Sequence, residues 1–486
     1  MTMRRAVGAL IAGVALAVAG AAPAADIGAN DDTGKWTTDS GSVFFSRMAE
    51  SGLRQSVMTV RWTPSDPLSI PNEDALGLAI QTAELAGLRV VLAVYPYPTR
   101  EIEAGLARPA AFGIWLTGVA TRYPTVKQYA VMNEPNQPAF LRPQFRGDGS
   151  NVSAAIAGSF LAAGYDALKA VDQTIVVVGL GLSPRGNDQP NAPNNISTSP
   201  VRFLAALGTW YRASGRQLPL MDGIGFHPYP ERATDPLTRS SAWPNAGFAD
   251  LGRIKQAIWD AFRDTPQPTT MNGLRLYLDE VGWQVATDGL PGYAGEENVP
   301  VTNVTTQAGI YASLVRSVAC DPQVAELNFF GFYDDAERGG FQAALHQVDG
   351  TPRASAAAVR AAITETATGC AHSVAPWFPA RRVIGAVAPS WVVVDRRTIR
   401  FSAEAGEGAN IVACLLPGRL GASAAAAAMT IRTAASIDCH GGKVLPHRPA
   451  VGTLRRVGAL VPATVGVRVV AESSDRRVRT FSRTVR

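Results

Sequence analysis

The chain has few of the residues that build metal or redox centres. Its five histidines (His227, His346, His372, His440 and His447) show no close spacing, which excludes the paired ligands of a zinc site. Gly179-Leu180-Gly181 opens like a dinucleotide loop, but Pro184 stands where the third glycine belongs, which excludes that fingerprint. No metal and no cofactor are expected. Beyond the first 25 residues no run of 18 apolar residues occurs, so no membrane span is expected. Charged residues make up only 17% against 47% hydrophobic, which excludes a disordered chain. Nothing points to a nucleic-acid partner.

What is present begins with a secretory pattern. Arg4 and Arg5 precede an Ala- and Val-rich run and then Ala22-Pro23-Ala24-Ala25. A basic start, a short apolar stretch and small residues make a signal peptide over residues 1–25. The expected location is therefore extracellular. In that setting four cysteines imply disulfides. Three pairings exist. Cys320 with Cys370 and Cys414 with Cys439 keeps each bond within one domain.

Charge is uneven. Residues 380–486 hold 17 Lys+Arg against 6 Asp+Glu, whereas the whole chain is only +5. An acidic body with a basic tail suits contact with an anionic cell-wall polymer. Arginine-rich usage on solvated strands would give the same imbalance.

Eight strand-like segments, centred near residues 27, 58, 92, 131, 177, 225, 277 and 328, are each followed by a helical pattern. The run at 88–95 is almost wholly apolar, as in strands buried on both faces. This regular alternation predicts an α/β fold, a (β/α)8 TIM barrel over residues 26–370. Residues 371–380, with two prolines, form a linker. Beyond them come short β segments without convincing helix periodicity, which predict a small all-β sandwich over 381–486.

The barrel is read around Tyr129-Ala-Val-Met-Asn-Glu-Pro-Asn136. Its apolar half is a short buried strand. Pro135 cannot donate to a ladder and biases Glu134 towards an extended conformation. A carboxylate then sits at the tip of the fourth strand. Asn-Glu-Pro alone also occurs in surface turns. A second run, Leu274-Arg-Leu-Tyr-Leu-Asp-Glu-Val-Gly-Trp283, ends in another carboxylate, Glu280. Two glutamates at the C-terminal tips of two barrel strands are what a retaining glycosidase needs, with carboxyl groups about 5–5.5 Å apart. Mutual repulsion would raise the pKa of the acid/base. Trp36, Trp62 and Trp283 lie at strand ends and could stack on sugar faces or pack in the core.

On these residues the segment 26–368 resembles clan A of the glycoside hydrolases, families 5 and 39 in particular. The resemblance implies that Glu134 is the acid/base and Glu280 the nucleophile. It implies that Asn133 bonds the sugar 2-hydroxyl and that Arg61 holds Glu280 and keeps it ionised. His227 and Tyr229 match the clan's His-x-Tyr, with the Tyr229 hydroxyl orienting Glu280. The sequence departs from the pattern twice. Tyr95 and Tyr97 replace a histidine after the third strand, and Phe330, Phe332 and Tyr333 replace a tryptophan after the eighth. The implied activity is hydrolysis of β-glycosidic bonds in a carbohydrate. A non-catalytic carbohydrate-binding protein and a transglycosylase share much of this pattern.

Overall fold

A computed structural model describes residues 25–367, five positions between 369 and 379, and the backbone of seven strands beyond residue 389. The expected signal segment lies outside the described residues. Eight parallel strands close into a barrel in sequence order: β1 (Asp26–Asn30), β2 (Gln55–Trp62), β3 (Arg89–Pro96), β4 (Gln128–Val131), β5 (Val176–Leu182), β6 (Gly223–Phe226), β7 (Arg275–Val281) and β8 (Val324–Phe330). Between them run α1 (Ser42–Glu50), α2 (Glu73–Leu85), α3 (Thr99–Glu103), α4 (Pro109–Arg122), α5 (Ser153–Val171), α6 (Pro200–Ser214), α7 (Leu251–Phe262) and α8 (Val304–Ala319), and α9 (Ala354–Ala367) follows β8. The expected barrel is present.

Local chemistry sets the helix ends. α4 and α6 each begin on a proline, whose missing N–H costs nothing in the first turn. α6 stops at Gly215 in the left-handed region (φ 68°). At α8, Asn303 accepts the Thr306 N–H at 2.8 Å, an N-cap.

The barrel interior is layered. Small side chains fill its middle: Val57, Val91, Ala93, Ala130 and Val178 are all buried. The N-terminal floor is polar. Gln55 donates to Asn328 at 2.7 Å, Gln128 to Glu326 at 2.8 Å, and Asn328 to Glu326 at 3.1 Å. Burial pushes the Glu326 carboxyl up to about 7, with the Gln128 bond pulling the other way. This network closes the bottom of the barrel and leaves the C-terminal rim for chemistry.

The strands beyond residue 389 are β9 (Ser390–Val393), β10 (Thr398–Ala403), β11 (Ala409–Pro417), β12 (Asp438–Val444), β13 (Ala450–Arg455), β14 (Ala463–Ala471) and β15 (Val478–Val485). They pair antiparallel as β13-β10-β9 and β12-β11-β14-β15. The strand expected at 429–437 lies outside the described residues; the partner of β11 starts at Asp438. Cys414 stands opposite Cys439 in that ladder. Cys320 is not a free thiol, and its expected partner, Cys370, lies outside the described residues. Among the described residues no helix is long and apolar enough to cross a membrane.

Candidate active site

A cleft of about 790 Å³ opens at the C-terminal rim, lined by Asn133, Glu134, Tyr229 and Glu280 among others. Its size suits a small ligand or one stretch of a polymer.

β4 ends at Val131, earlier than the sequence suggests. Met132 and Glu134 take left-handed backbone conformations, φ 73° and 38°. The extended conformation expected before Pro135 is therefore not adopted. The Met132 N–H donates to the Val94 carbonyl and the Glu134 N–H to the Gly181 carbonyl, both at 2.9 Å. These neighbours hold a turn that would otherwise be strained, and such strain collects at functional sites. Asn136 ties the turn down. It is fully buried, donating to the Ser183 carbonyl at 3.0 Å and the Thr198 carbonyl at 2.9 Å, and accepting the Ser183 N–H at 3.0 Å. Asn136→Ala leaves three buried polar groups unpaired. It should cost about 3 kcal/mol or more, seen as a lower thermal midpoint. An unchanged midpoint would show that the turn does not depend on this residue.

Two bulges build the opposite wall. On β7, Leu278 pairs with Leu327 and Val281 with Phe329, so Asp279 and Glu280 together face one residue of β8. In a regular strand these adjacent carboxylates would point to opposite faces. The bulge lets both reach the barrel interior. On β5, Leu180 and Gly181 likewise stand against Gly225 alone. A Cβ at Gly225 would lie 2.6 Å from the Asp279 Oδ2 and 2.7 Å from the Gly181 nitrogen. Only glycine fits there.

His227, just past β6, sits at the centre. Its Nδ1 lies 3.0 Å from Glu134 Oε1 and 3.5 Å from Glu280 Oε2, and its Nε2 lies 3.4 Å from Asp279 Oδ1. The two glutamate oxygens are thus no farther apart than the sum of the first two distances. The His227 side chain is only 1% exposed, whereas Glu134 keeps 17% and Glu280 13%. The carboxylates face the cleft and the imidazole stays behind them. Burial alone would lower the His227 pKa; the negative field of Glu280 and Asp279, and the bond to Glu134, raise it well above the ordinary value. The ring is held among three acidic side chains.

Glu280 accepts from Asn30 Nδ2 at 3.2 Å and from the Tyr229 hydroxyl at 3.2 Å. Burial, with Glu134 and Asp279 adding to it, pushes Glu280 up to about 7 against the pull of His227 and Tyr229. Burial, with Glu280 and Glu134 adding to it, raises the Tyr229 hydroxyl pKa well above the ordinary value. It therefore acts as a donor. Phe330 and Phe341 pack on the Tyr229 ring at 6.3 and 5.7 Å.

The expected residues divide as follows. Glu134, Glu280, His227 and Tyr229 come together, and Asn133 lines the cleft beside them. Tyr333 and Trp36 also line it; the Tyr333 hydroxyl accepts from Arg47 at 2.7 Å. Arg61 lines the cleft but does not hold Glu280. Its Nε donates to the Tyr95 hydroxyl at 3.1 Å, and Asn30 occupies the supporting position. Trp283 is no sugar platform. It is 1% exposed, packed in the core, and its Nε1 donates to the Asp235 carbonyl at 3.0 Å. Trp62 is buried in the same way, on the Pro67 carbonyl. Asn30 and Asp279 were missed. Both sit at or beside strand tips, the position that singled out Glu134 and Glu280.

No protein-family model and no curated protein matches the chain. Among solved structures it is similar to a family 39 glycoside hydrolase from Bacteroides cellulosilyticus WH2 (12% identity, 89% of this chain and 81% of that one, TM-score 0.47). It is similar also to a glucosidase from Croceicoccus marinus (12%, 90% and 94%, TM-score 0.47) and to native xylanase 10B from Thermotoga maritima (14%, 70% and 94%, TM-score 0.40). The closed eight-stranded parallel barrel is a (β/α)8 fold by this chain's own strand pairing.

Proposed function

We propose that the protein is a secreted retaining glycosidase that cleaves β-glycosidic bonds by double displacement. Glu134 is the acid/base and Glu280 the nucleophile. One observation carries the reading: carboxylates from the tips of β4 and β7 both reach one buried histidine nitrogen and share one cleft. In the first step Glu280 attacks the anomeric carbon while Glu134 gives its proton to the leaving oxygen. In the second, Glu134 takes a proton from water as that water displaces Glu280. Asn30 and Tyr229 aim the nucleophile. His227 offsets the negative charge of the pair, and Asn133 bonds the sugar 2-hydroxyl. In the proposed secreted protein the disulfides join Cys320 to Cys370 and Cys414 to Cys439. Residues 381–486 form a β-sandwich whose basic surface meets an anionic wall polymer.

The test is hydrolysis of a panel of aryl β-glycosides and polysaccharides. Turnover should appear with the intact chain and vanish in Glu280→Gln. Absence of turnover across the panel would favour a carbohydrate-binding role. The pH profile adds a second check. The nucleophile works as a carboxylate, so kcat/KM should rise with pH through about 7, where Glu280 gives up its proton. Tyr229→Phe removes a donor that favours the carboxylate and should move that limb to higher pH. A limb that stays in place would detach it from Glu280.

A further inference from the structure

Arg61 differs from several arginines of the barrel. Arg89, Arg122, Arg216, Arg253, Arg316 and Arg353 each meet a carboxylate within ion-pair distance. Among the described residues Arg61 meets none. It is nevertheless held in place. Its Nε is bonded to the Tyr95 hydroxyl, and its guanidinium carbon lies 4.8 Å from the centre of the Tyr97 ring. The Asp32 carboxylate, which lines the same cleft, is already taken by Lys35 at 2.8 Å and by the Thr59 N–H at 2.8 Å. Among the described residues the two Nη nitrogens of Arg61 have no hydrogen-bond partner. The side chain is exposed to the cleft and to an adjoining cavity of about 320 Å³ that it shares with Trp36. Trp36 is 57% exposed there.

A cation fixed by stacking and one hydrogen bond, with its in-plane donors unused, is organised for an anion with two coplanar oxygens. An exposed indole beside it offers a face to a sugar ring. A polymer entering this cleft also meets the negative charge of Glu134 and Glu280, so an acidic glycan needs a cation to bind. We propose that Arg61 recognises the carboxylate of a uronic acid unit, bound next to Trp36, in a β-linked acidic glycan. This rests on the glycosidase reading and names the substrate class of that site.

The test compares matched pairs: β-linked glucuronate and mannuronate tetrasaccharides against the neutral glucose and mannose tetrasaccharides of the same linkage. Turnover and calorimetric binding are measured for both members of each pair, with the intact protein and with Arg61→Gln. The intact protein should favour one acidic member roughly tenfold to a hundredfold, the range of a charge-assisted bond. The preference should sit mainly in KM and Kd. In Arg61→Gln the acid-to-neutral ratio should collapse towards one, and Arg61→Lys should restore only part of it, because an ammonium lacks the planar fork. No preference in the intact protein, or an equal preference in Arg61→Gln, overturns the proposal. Acid-selective binding without turnover of any member would uphold the role of Arg61 and sink the hydrolytic reading instead. Turnover without acid preference would do the reverse.

Discussion

Glu134→Ala should react quickly with a dinitrophenyl β-glycoside and then stall. The dinitrophenolate leaves without protonation, so Glu280 can still form the glycosyl-enzyme. Hydrolysis of that intermediate lacks its general base. A burst of dinitrophenolate should precede a slow steady state. With ordinary alkyl or sugar leaving groups, which need the acid, kcat/KM should fall roughly 10²- to 10⁴-fold. Azide needs no general base and should restore turnover, giving a β-glycosyl azide of retained configuration. An azide of inverted configuration would exchange the roles of the two glutamates. The expectation rests on where the structure places Glu134: at a strand tip, partly open to the cleft and bonded to His227.

Glu280→Gln should lose activity and gain stability together. Without a nucleophile neither half-reaction proceeds, and the loss should be on the order of 10⁵-fold. The stability effect follows from burial. The folded carboxyl titrates at about 7, above its ordinary 4.5. The unfolded chain therefore gives up this proton first. The group's contribution to stability is full below about 4.5, falls as pH rises, and is lost above about 7. At 1.36 kcal/mol per pH unit the loss is about 3 kcal/mol. Glutamine keeps an acceptor for Asn30 and stays neutral. Its thermal midpoint should exceed that of the unaltered protein at pH 8 and match it near pH 4. An equal difference at both pH values would detach the effect from titration, and near-normal activity would remove Glu280 from catalysis.

Much of this was legible in the residues. The alternation of apolar runs and helical patterns reports burial on both faces of a strand, so all eight barrel strands could be placed to within a few residues. The glutamates stood out because each ends such a run. What surrounds them was harder to see. A bulge does not disturb composition, and nothing in Leu-Asp-Glu-Val says that Asp279 and Glu280 share one side of β7. The turn at Glu134 defeats the local bias of Pro135 because β3 and β5 hold its backbone. Which strand tip supports Glu280 depends on reach across the barrel. Arg61 and Asn30 both end strands, and only the folded chain shows that Asn30 reaches Glu280 while Arg61 turns to Tyr95. Trp283 and Trp36 look alike as tryptophans near strand ends, yet one packs in the core and the other faces the cleft.

Covalent trapping tests the central claim most directly. The protein would be incubated with a 2-deoxy-2-fluoro β-glycoside bearing a dinitrophenolate leaving group, the sugar chosen from the activity panel. The fluorine slows both steps, and the good leaving group keeps the first one fast. Intact-protein mass should rise by one fluoroglycosyl unit, and peptide mapping should place it on Glu280. A label on Glu134, or full turnover of an active substrate with inversion and no adduct, would contradict the double-displacement account.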